Sequence, residues 1–514
     1  MYNSEQNNTT EINSITCTII FDGSALNRDE KIGNNILSIK KLTYHGEIRP
    51  FISKNAIRHY LFNSLNKAFK KNWEPTPVIL RGEKKQTLQF DLTKADILSY
   101  NELAAFGYMF TKSGETSITR KAPVGITKAI GLSIYNQDMA FYANQDLVQR
   151  SINTGYKADP SPINKEEYSG FFKLSFTIDA DMLGKDTWIV DNYDYDSNNN
   201  ILTIKIAEPQ SFIIYNCKEI TDDNGNKYYE VNNNKKLKID VNDNTIKLPK
   251  EMIKIDKNGN LEIKPEFAND RKENKNKKNS TTYKFKVLKD EYTEDNNQYF
   301  FECSFDPIYQ FDNNTLTLEL GYQKEIQNAV CKNTFNKNIE KNEFEINNIG
   351  KIIITSLNKN NIKSGPFKIE FLLNKNKIKN IICNILTVIK NGLSAQSSNE
   401  INTIKPLFMI ASEVSIPCPI FHADIDIKKT NNNFEIIGIE DAINNDWIKN
   451  KIYLQFDQIF SLNKIPQNNK ITNDWQSFLK SLNLDCKTET QQESETNASN
   501  ESTINTDIPT NGSF

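Results

Sequence analysis

The chain has 514 residues, 38% of them hydrophobic and 25% charged, with 63 basic against 65 acidic side chains for a net charge of −2. That length is ample for a core without metal or disulfide staples and predicts roughly three domains. The near balance of charge excludes a chain that is polybasic throughout, though not a local basic face. No apolar run approaches the ~18 residues of a membrane span. The N-terminus, MYNSEQNNTTEINS, lacks the cationic start and apolar stretch of a secretory signal. Seven scattered cysteines without a CxxC pair predict free thiols in a reducing, cytoplasmic compartment. Three histidines (His45, His59, His422) are too few for a His-rich metal centre.

In chain order, residues 14–21 alternate: Ile15, Cys17, Ile19 and Phe21 point one way and Thr16 and Thr18 the other, which predicts a strand with one buried face. A polar loop and a short pairing segment follow. Ser53 then stands at a helix N-cap, with Ile57, Leu61, Leu65 and Phe69 recurring every four residues behind it. Residues 170–178 alternate again through Phe172, Leu174, Phe176 and Ile178. Residues 187–345 read as a β-rich insertion with a polar loop at 267–280. Two apolar runs at 351–373 precede a second amphipathic helix over 376–391, with Gly392 at its end. The segments PLFMIASEVS, PIFHADIDIKK and FEIIGIEDAI read as further strands, and residues 481–514, with six acids and one lysine, as a disordered acidic tail. Strand, helix, strand, insertion, strand, helix, strand is a split βαβ repeat. The expected class is α+β: an RRM-like or ferredoxin-like core (14–110, 170–186, 346–445) with the insertion.

Charge is unevenly placed. Residues 1–130 carry 18 basic and 12 acidic side chains, and six of seven arginines (Arg28, Arg49, Arg58, Arg81, Arg120, Arg150) precede residue 151. In a chain that favours lysine, a retained guanidinium points to bidentate phosphate contact, or to a carboxylate partner at the surface. Phosphate-loop, dinucleotide, HExxH and GxSxG motifs are absent. Asp424 and Asp426, with His422 on the same expected strand face, would be the metal candidates, and ordinary solvent exposure is the stronger reading of them. Neither a cofactor nor a metal is expected.

Six segments together resemble a known family. They are GSALNRDEKIGN (Gly23–Asn34), GEIRPFISKNAIRHYLF (Gly46–Phe62), FGYM (Phe106–Met109), RKAPVGITKAIGLS (Arg120–Ser133), GFFKLSFTIDADMLGKD (Gly170–Asp186) and NGLSAQSSNEINTIKPLFM (Asn391–Met409). In this order they are similar to the CRISPR-associated DevR family, the backbone subunit of type I-B Cascade, over roughly 14–186 and 370–445. The resemblance implies a modified RRM palm and a projecting thumb over about 111–169. Copies would stack as a helical filament along CRISPR RNA, with the target DNA strand paired to the guide and other Cascade subunits as partners. It implies no membrane and no catalysis. An RRM-like sheet would offer a flat face to single-stranded RNA.

On this reading Asn27 and Arg28, in the loop after the first strand, suit a ribose or phosphate. Ser53 and Lys54 open the first helix, where unpaired N–H groups and the positive dipole end favour phosphate, and Arg58 lies one turn on. Arg120, Lys121 and Lys128 lead into the thumb, whose aromatics are Phe141, Tyr142 and Tyr156. Ser394 and Ser397, with Ser398, stand in a small-residue loop that lets RNA approach the backbone. The alternatives are a type III-like subunit that cleaves target RNA with the loop aspartate Asp29, a guide-processing nuclease on the same fold, against which the single late histidine His422 argues, and a protein adaptor. The PFISKNAIR sequence at the first helix departs from the Gly-rich motif of type III subunits.

Overall fold

The computed structural model describes residues 13–486 except for internal segments, the longest of which is 265–285. Asn27, Ser398, the loop expected at 267–280 and the acidic tail beyond 486 lie outside the described residues. The chain is mixed α+β and forms two compact units: Met1–Glu74, Ala122–Gly184 and Lys375–Phe514 in one, Pro75–Lys121 and Lys185–Asn374 in the other.

The first unit is built on a nine-stranded sheet. Its central strand, Ser14–Ser24, lies between Ser169–Asp179 and Phe408–Val414, antiparallel to both. Beyond Ser169–Asp179 come Val124–Ile126 and Ala129–Gly131, then Glu47–Ile52 and Lys41–Tyr44; on the other side Phe408–Val414 leads to Ile448–Phe456. The register pairs Cys17 with Phe176, Ile19 with Leu174 and Phe21 with Phe172, so the apolar faces read from the two strands coincide. Two helices, Lys54–Ala68 and Lys375–Asn391, pack against each other. The first buries Ile57, Tyr60, Leu61 and Leu65, and the second buries the stripe from Ile378 to Ile389. Gly392 ends the second helix at φ 107°, its N–H bonded to Val388 O at 2.9 Å.

The opposite sheet face is closed, which corrects the expectation of a flat face open to RNA. Ile20, Phe408 and Ile410 form one core with Phe421, Ile425, Ile436, Ile439 and Ile443 from the segment that follows the Phe408–Val414 strand. Every residue from Ser14 to Phe21 is buried. The apolar content of both faces requires cover on both, and residues 420–443 supply it. The segments PIFHADIDIKK and FEIIGIEDAI are not plain strands. Ile420–Asp424 and Ile439–Ile443 are short helices, and the strands are Asp426–Lys429 and Phe434–Ile437. Gly438, at φ 81°, makes the turn from strand to helix.

The second unit is β-rich. Lys185–Val190 and Phe367–Leu373 pair antiparallel and continue through Gly350–Ser356, Lys341–Ile346 and Ala329–Thr334. The two apolar runs at 351–373 thus serve this sheet and not the one built on Ser14–Ser24. No helix of the described residues is long and apolar enough to cross a membrane.

The expectation that all cysteines are free is corrected. Cys383 and Cys486 form a disulfide with a Cα–Cα distance of 5.2 Å. A separation of 103 residues hides such a pair from any spacing rule.

Candidate nucleic-acid interface

The start of the Lys54–Ala68 helix carries an exposed cation, Lys54. Ser53 is extended (φ −66°, ψ 150°) and its Oγ accepts the Ala56 N–H at 3.3 Å, so the sequence-predicted cap forms. Lys54 is exposed and the first turn holds no acid to neutralise it. Ile57 and Leu61 face the core, which sets Lys54 outward and leaves Arg58 half-buried beside them. Strand pairing brings a second lysine to the same place. Ile130 lies opposite Phe51 and Ala129 opposite Ile52, so the next residue, Lys128, comes level with Ser53. Lys128 is exposed, with its Nζ 5.3 Å from the Phe51 ring centroid. Two lysines at the N-terminal end of a helix, where backbone N–H groups also point outward, have the charge that suits an anion such as a phosphate.

Other candidates fall elsewhere. Ser394 and Ser397 lie on a strand, Leu393–Ser397, that pairs with Glu400–Ile404, and not in a loop as expected. This hairpin packs on the first helix, where the Ser394 N–H donates to Ser64 Oγ at 3.0 Å. Ser64 is ten residues along the helix from Lys54, roughly 15 Å at 1.5 Å per residue, so Ser394 shares the helix but not the anion site. Lys121 is exposed and belongs to the other compact unit.

The arginines correct the sequence reading most clearly. Arg120 is buried, its side chain 4% exposed. Its Nη1 donates to the carbonyls of Leu103 (2.9 Å) and Ala104 (2.7 Å), its Nε to that of Lys185 (3.3 Å), and Asp186 lies 3.8 Å away. It closes the carbonyl end of the short helix Asn101–Phe106, as a cation at a helix C-terminus does. Tyr108 donates to Asp186 and Trp188 Nε1 to Tyr108, completing an interior network. Burial pulls the Arg120 guanidinium down and pushes the Asp186 carboxyl up.

Arg28 binds Glu167 (3.1 Å) and the Glu166 carbonyl, tying the strand Arg28–Ile32 to the base of the expected thumb. Arg49 holds Glu47 and the carbonyls of Gly131 and Leu132. Arg150 pairs with Asp146 one helical turn away. Arg28, Arg49 and Arg120 thus make contacts within the chain's own fold, and Arg150 an exposed surface pair. Glu166 meets Lys41 Nζ (2.7 Å) and the Ile39 N–H (3.0 Å); partial burial pushes its carboxyl up, and these two donors bring it below the usual range. Asp29, the loop aspartate of the RNA-cleaving alternative, pairs with Lys40 at 2.9 Å.

The segment expected as a thumb carries the opposite surface. Met139–Tyr142 pairs with Ile163–Glu166, which pairs with Ile36–Ile39, and the helix Gln145–Asn153 lies between the first two. That helix buries no residue. Phe141 (67%), Leu147 (55%), Ile152 (61%) and Tyr156 (73%) are all exposed.

Sequence reasoning missed one polar cluster. Ser175 Oγ hydrogen-bonds both Thr18 Oγ1 (2.7 Å) and His422 Nδ1 (2.8 Å), and Lys173 Nζ donates to Ile425 O (2.8 Å). Burial, with Lys173 close by, lowers His422 to about 4. Three residues far apart in sequence carry no joint signal. Asp424 ends the short helix and Asp426 begins the next strand, so the shared strand face expected for them with His422 does not exist. Among the described residues no group of three or more metal-ligating side chains converges.

These features define an α+β protein with an antiparallel sheet, a pair of helices packed on each other, and a cationic helix start. The chain matches the family described as "CRISPR-associated negative auto-regulator DevR/Csa2" over residues 15–433, and it belongs to that family. Solved chains similar to it come from a CRISPR RNA-guided surveillance complex (16% identity, TM-score 0.21, covering 33% of this chain and 51% of that one). Another comes from a CRISPR RNA-guided surveillance complex, pre-nicking (14% identity, TM-score 0.22, covering 33% and 65%). This chain spans less than two thirds of either. No curated protein matches it.

Proposed function

We propose that this protein is the non-catalytic backbone subunit of a type I-B Cascade complex in the cytoplasm. In this reading copies of it line a CRISPR RNA and present the guide to a target DNA strand alongside other Cascade subunits. The observation that carries the proposal is membership of the DevR/Csa2 family over residues 15–433, segments of the cationic helix start and of the apolar extension included. The strand order Phe408–Val414, Ser14–Ser24, Ser169–Asp179, Ala129–Gly131, with one helix before the last of these strands and one before the first, supports a ferredoxin-like palm.

Lys54 and Lys128 hold guide phosphate at the palm. The thumb, around Gln145–Asn153, lays its exposed apolar face on the next copy, because an exposed helix with no buried residue gains stability only by association. The test is native mass measurement of the protein assembled on guides of increasing length. The copy number should rise by one per fixed increment of nucleotides. A constant stoichiometry at every guide length would overturn the proposal. Exchanging Phe141, Leu147 and Ile152 for serine should abolish the stepwise growth and leave the monomer folded.

A further inference from the structure

Apolar surface is exposed at two opposite ends of the nine-stranded sheet. The strand Ser14–Ser24 runs between them, and its ends lie about 33 Å apart at 3.3 Å per residue. At one end Ser24 pairs with Ser169, and the thumb leaves the sheet there: Ile163–Glu166 comes just before Ser169 and Arg28–Ile32 just after Ser24. At the other end Ser14 pairs with Val414 and Asp179. Val414 in turn pairs with Ile448, and the Ser415 N–H donates to Trp447 O at 2.9 Å. This link sets Ile416 and Trp447 on adjoining backbone just beyond the sheet. They are 41% and 47% exposed, and Pro417, next to Ile416, is exposed as well.

The chemistry of this patch selects a protein partner. Exposed Asp446 and Lys449 flank Trp447 with opposite charges, so the patch offers a phosphate backbone no net positive field. An indole beside two aliphatic side chains is the composition of an interface anchor. A matching surface exists on the same chain. Phe141, Leu147 and Ile152 of the thumb are 55–67% exposed, and the helix Gln145–Asn153 buries no residue. In one copy neither surface covers the other. Head to tail, the thumb of each copy meets the patch of the next, and a contact between two different surfaces of one chain repeats without closing, as a filament requires. We propose that Ile416 and Trp447 are the seat for the apolar thumb helix of the adjacent copy. This rests on the backbone reading and adds to it the surface that receives the thumb.

The areas fit an assembly that needs its guide. At these exposures the three thumb side chains leave roughly 300 Å² of apolar surface in solvent and the seat roughly 200 Å², both below the ~800 Å² per partner of a stable pair. Two copies therefore separate readily in free solution. They stay together once a shared guide raises their local concentration.

The experiment uses two full-length variants on a guide long enough for three copies, with the copies counted by native mass measurement. Ile416→Ser/Trp447→Ser lacks the seat, and Phe141→Ser/Leu147→Ser/Ile152→Ser lacks the thumb face. Each variant alone should stay at one copy per guide. An equal mixture should reach two copies and never three, because one intact thumb and one intact seat make a single contact. A seat variant that grows as the parent does would overturn the proposal, as would a mixture that stays at one copy. A second readout leaves the seat unaltered. Benzoylphenylalanine in place of Ile152, irradiated with and without guide, should crosslink to the peptides holding Ile416 or Trp447 of a second copy, and crosslinks confined to other segments would overturn the proposal. A parent that does not lengthen with the guide would count against the backbone reading instead, and the crosslink formed without guide still decides the seat.

Discussion

If the helix start holds guide phosphate, removing its two exposed lysines should change binding without changing folding. In Lys54→Ala/Lys128→Ala, the Lys54 change costs under about 0.5 kcal/mol because the side chain is exposed. Losing a cation from the positive end of a helix offsets part of that by about 0.3–1 kcal/mol. The Lys128 change forfeits its contact with the Phe51 ring, about 0.5–1 kcal/mol. The terms nearly cancel, so the isolated protein should melt within about 2 °C of the parent.

Binding should respond far more. Each phosphate contact on a single strand contributes about 0.7 to the slope of log affinity against log salt, so two lost contacts shrink the slope by about 1.4 per copy. Between 50 and 200 mM salt, the parent should therefore lose roughly sevenfold more affinity per site than the variant. The assay is fluorescence anisotropy of a labelled guide across a salt series. Lys428→Ala/Lys429→Ala, also exposed but on the Asp426–Lys429 strand, serves as the control and should keep the parental slope. A variant that melts normally with an unreduced slope would refute the assignment of this helix, as would an equal effect of the control.

Other consequences are testable by stability. His422 has a folded value of about 4 against 6.5 free, so between those pH values the unfolded chain takes up a proton that the folded chain refuses, and stability should fall as pH drops through that window. The full shift corresponds to at most about 3.4 kcal/mol, reduced by partial solvent access to about 1–2 kcal/mol. His422→Gln should flatten the acid limb of a urea-midpoint series, and an identical limb in the variant would exclude His422 as its source. Arg120→Ala strands three carbonyls and the buried Asp186, which should cost about 3–5 kcal/mol in urea unfolding; a loss under about 1 kcal/mol would show the network is dispensable. Gly438→Ala would set a Cβ 1.8 Å from Asp424 O at φ +81°, so it should destabilise by at least about 2 kcal/mol, and a neutral melt would contradict the tight turn.

What was legible from the sequence was local. The alternation of residues 14–21 and 170–178, the four-residue recurrence behind Ser53 and the stripe ending at Gly392 each became the expected element, because backbone periodicity and capping are decided within a few residues. The exposure of Lys54 followed from the same helical geometry. Pairing between distant segments was not legible. No local pattern places Lys128 level with Ser53, joins Ser175 to His422, sends the runs at 351–373 to another sheet, or brings Cys383 to Cys486.

The arginines show the physical reason. Arg120 and Arg28 look the same in sequence whether they meet a phosphate or the chain's own carbonyls and carboxylates, because a guanidinium suits both. Only the tertiary structure decides, by burying Arg120 against the end of a helix and leaving Lys54 and Lys128 in solvent. Long-range packing determines which hydrogen-bonding groups must be satisfied inside, and that requirement is invisible until the strands are in register.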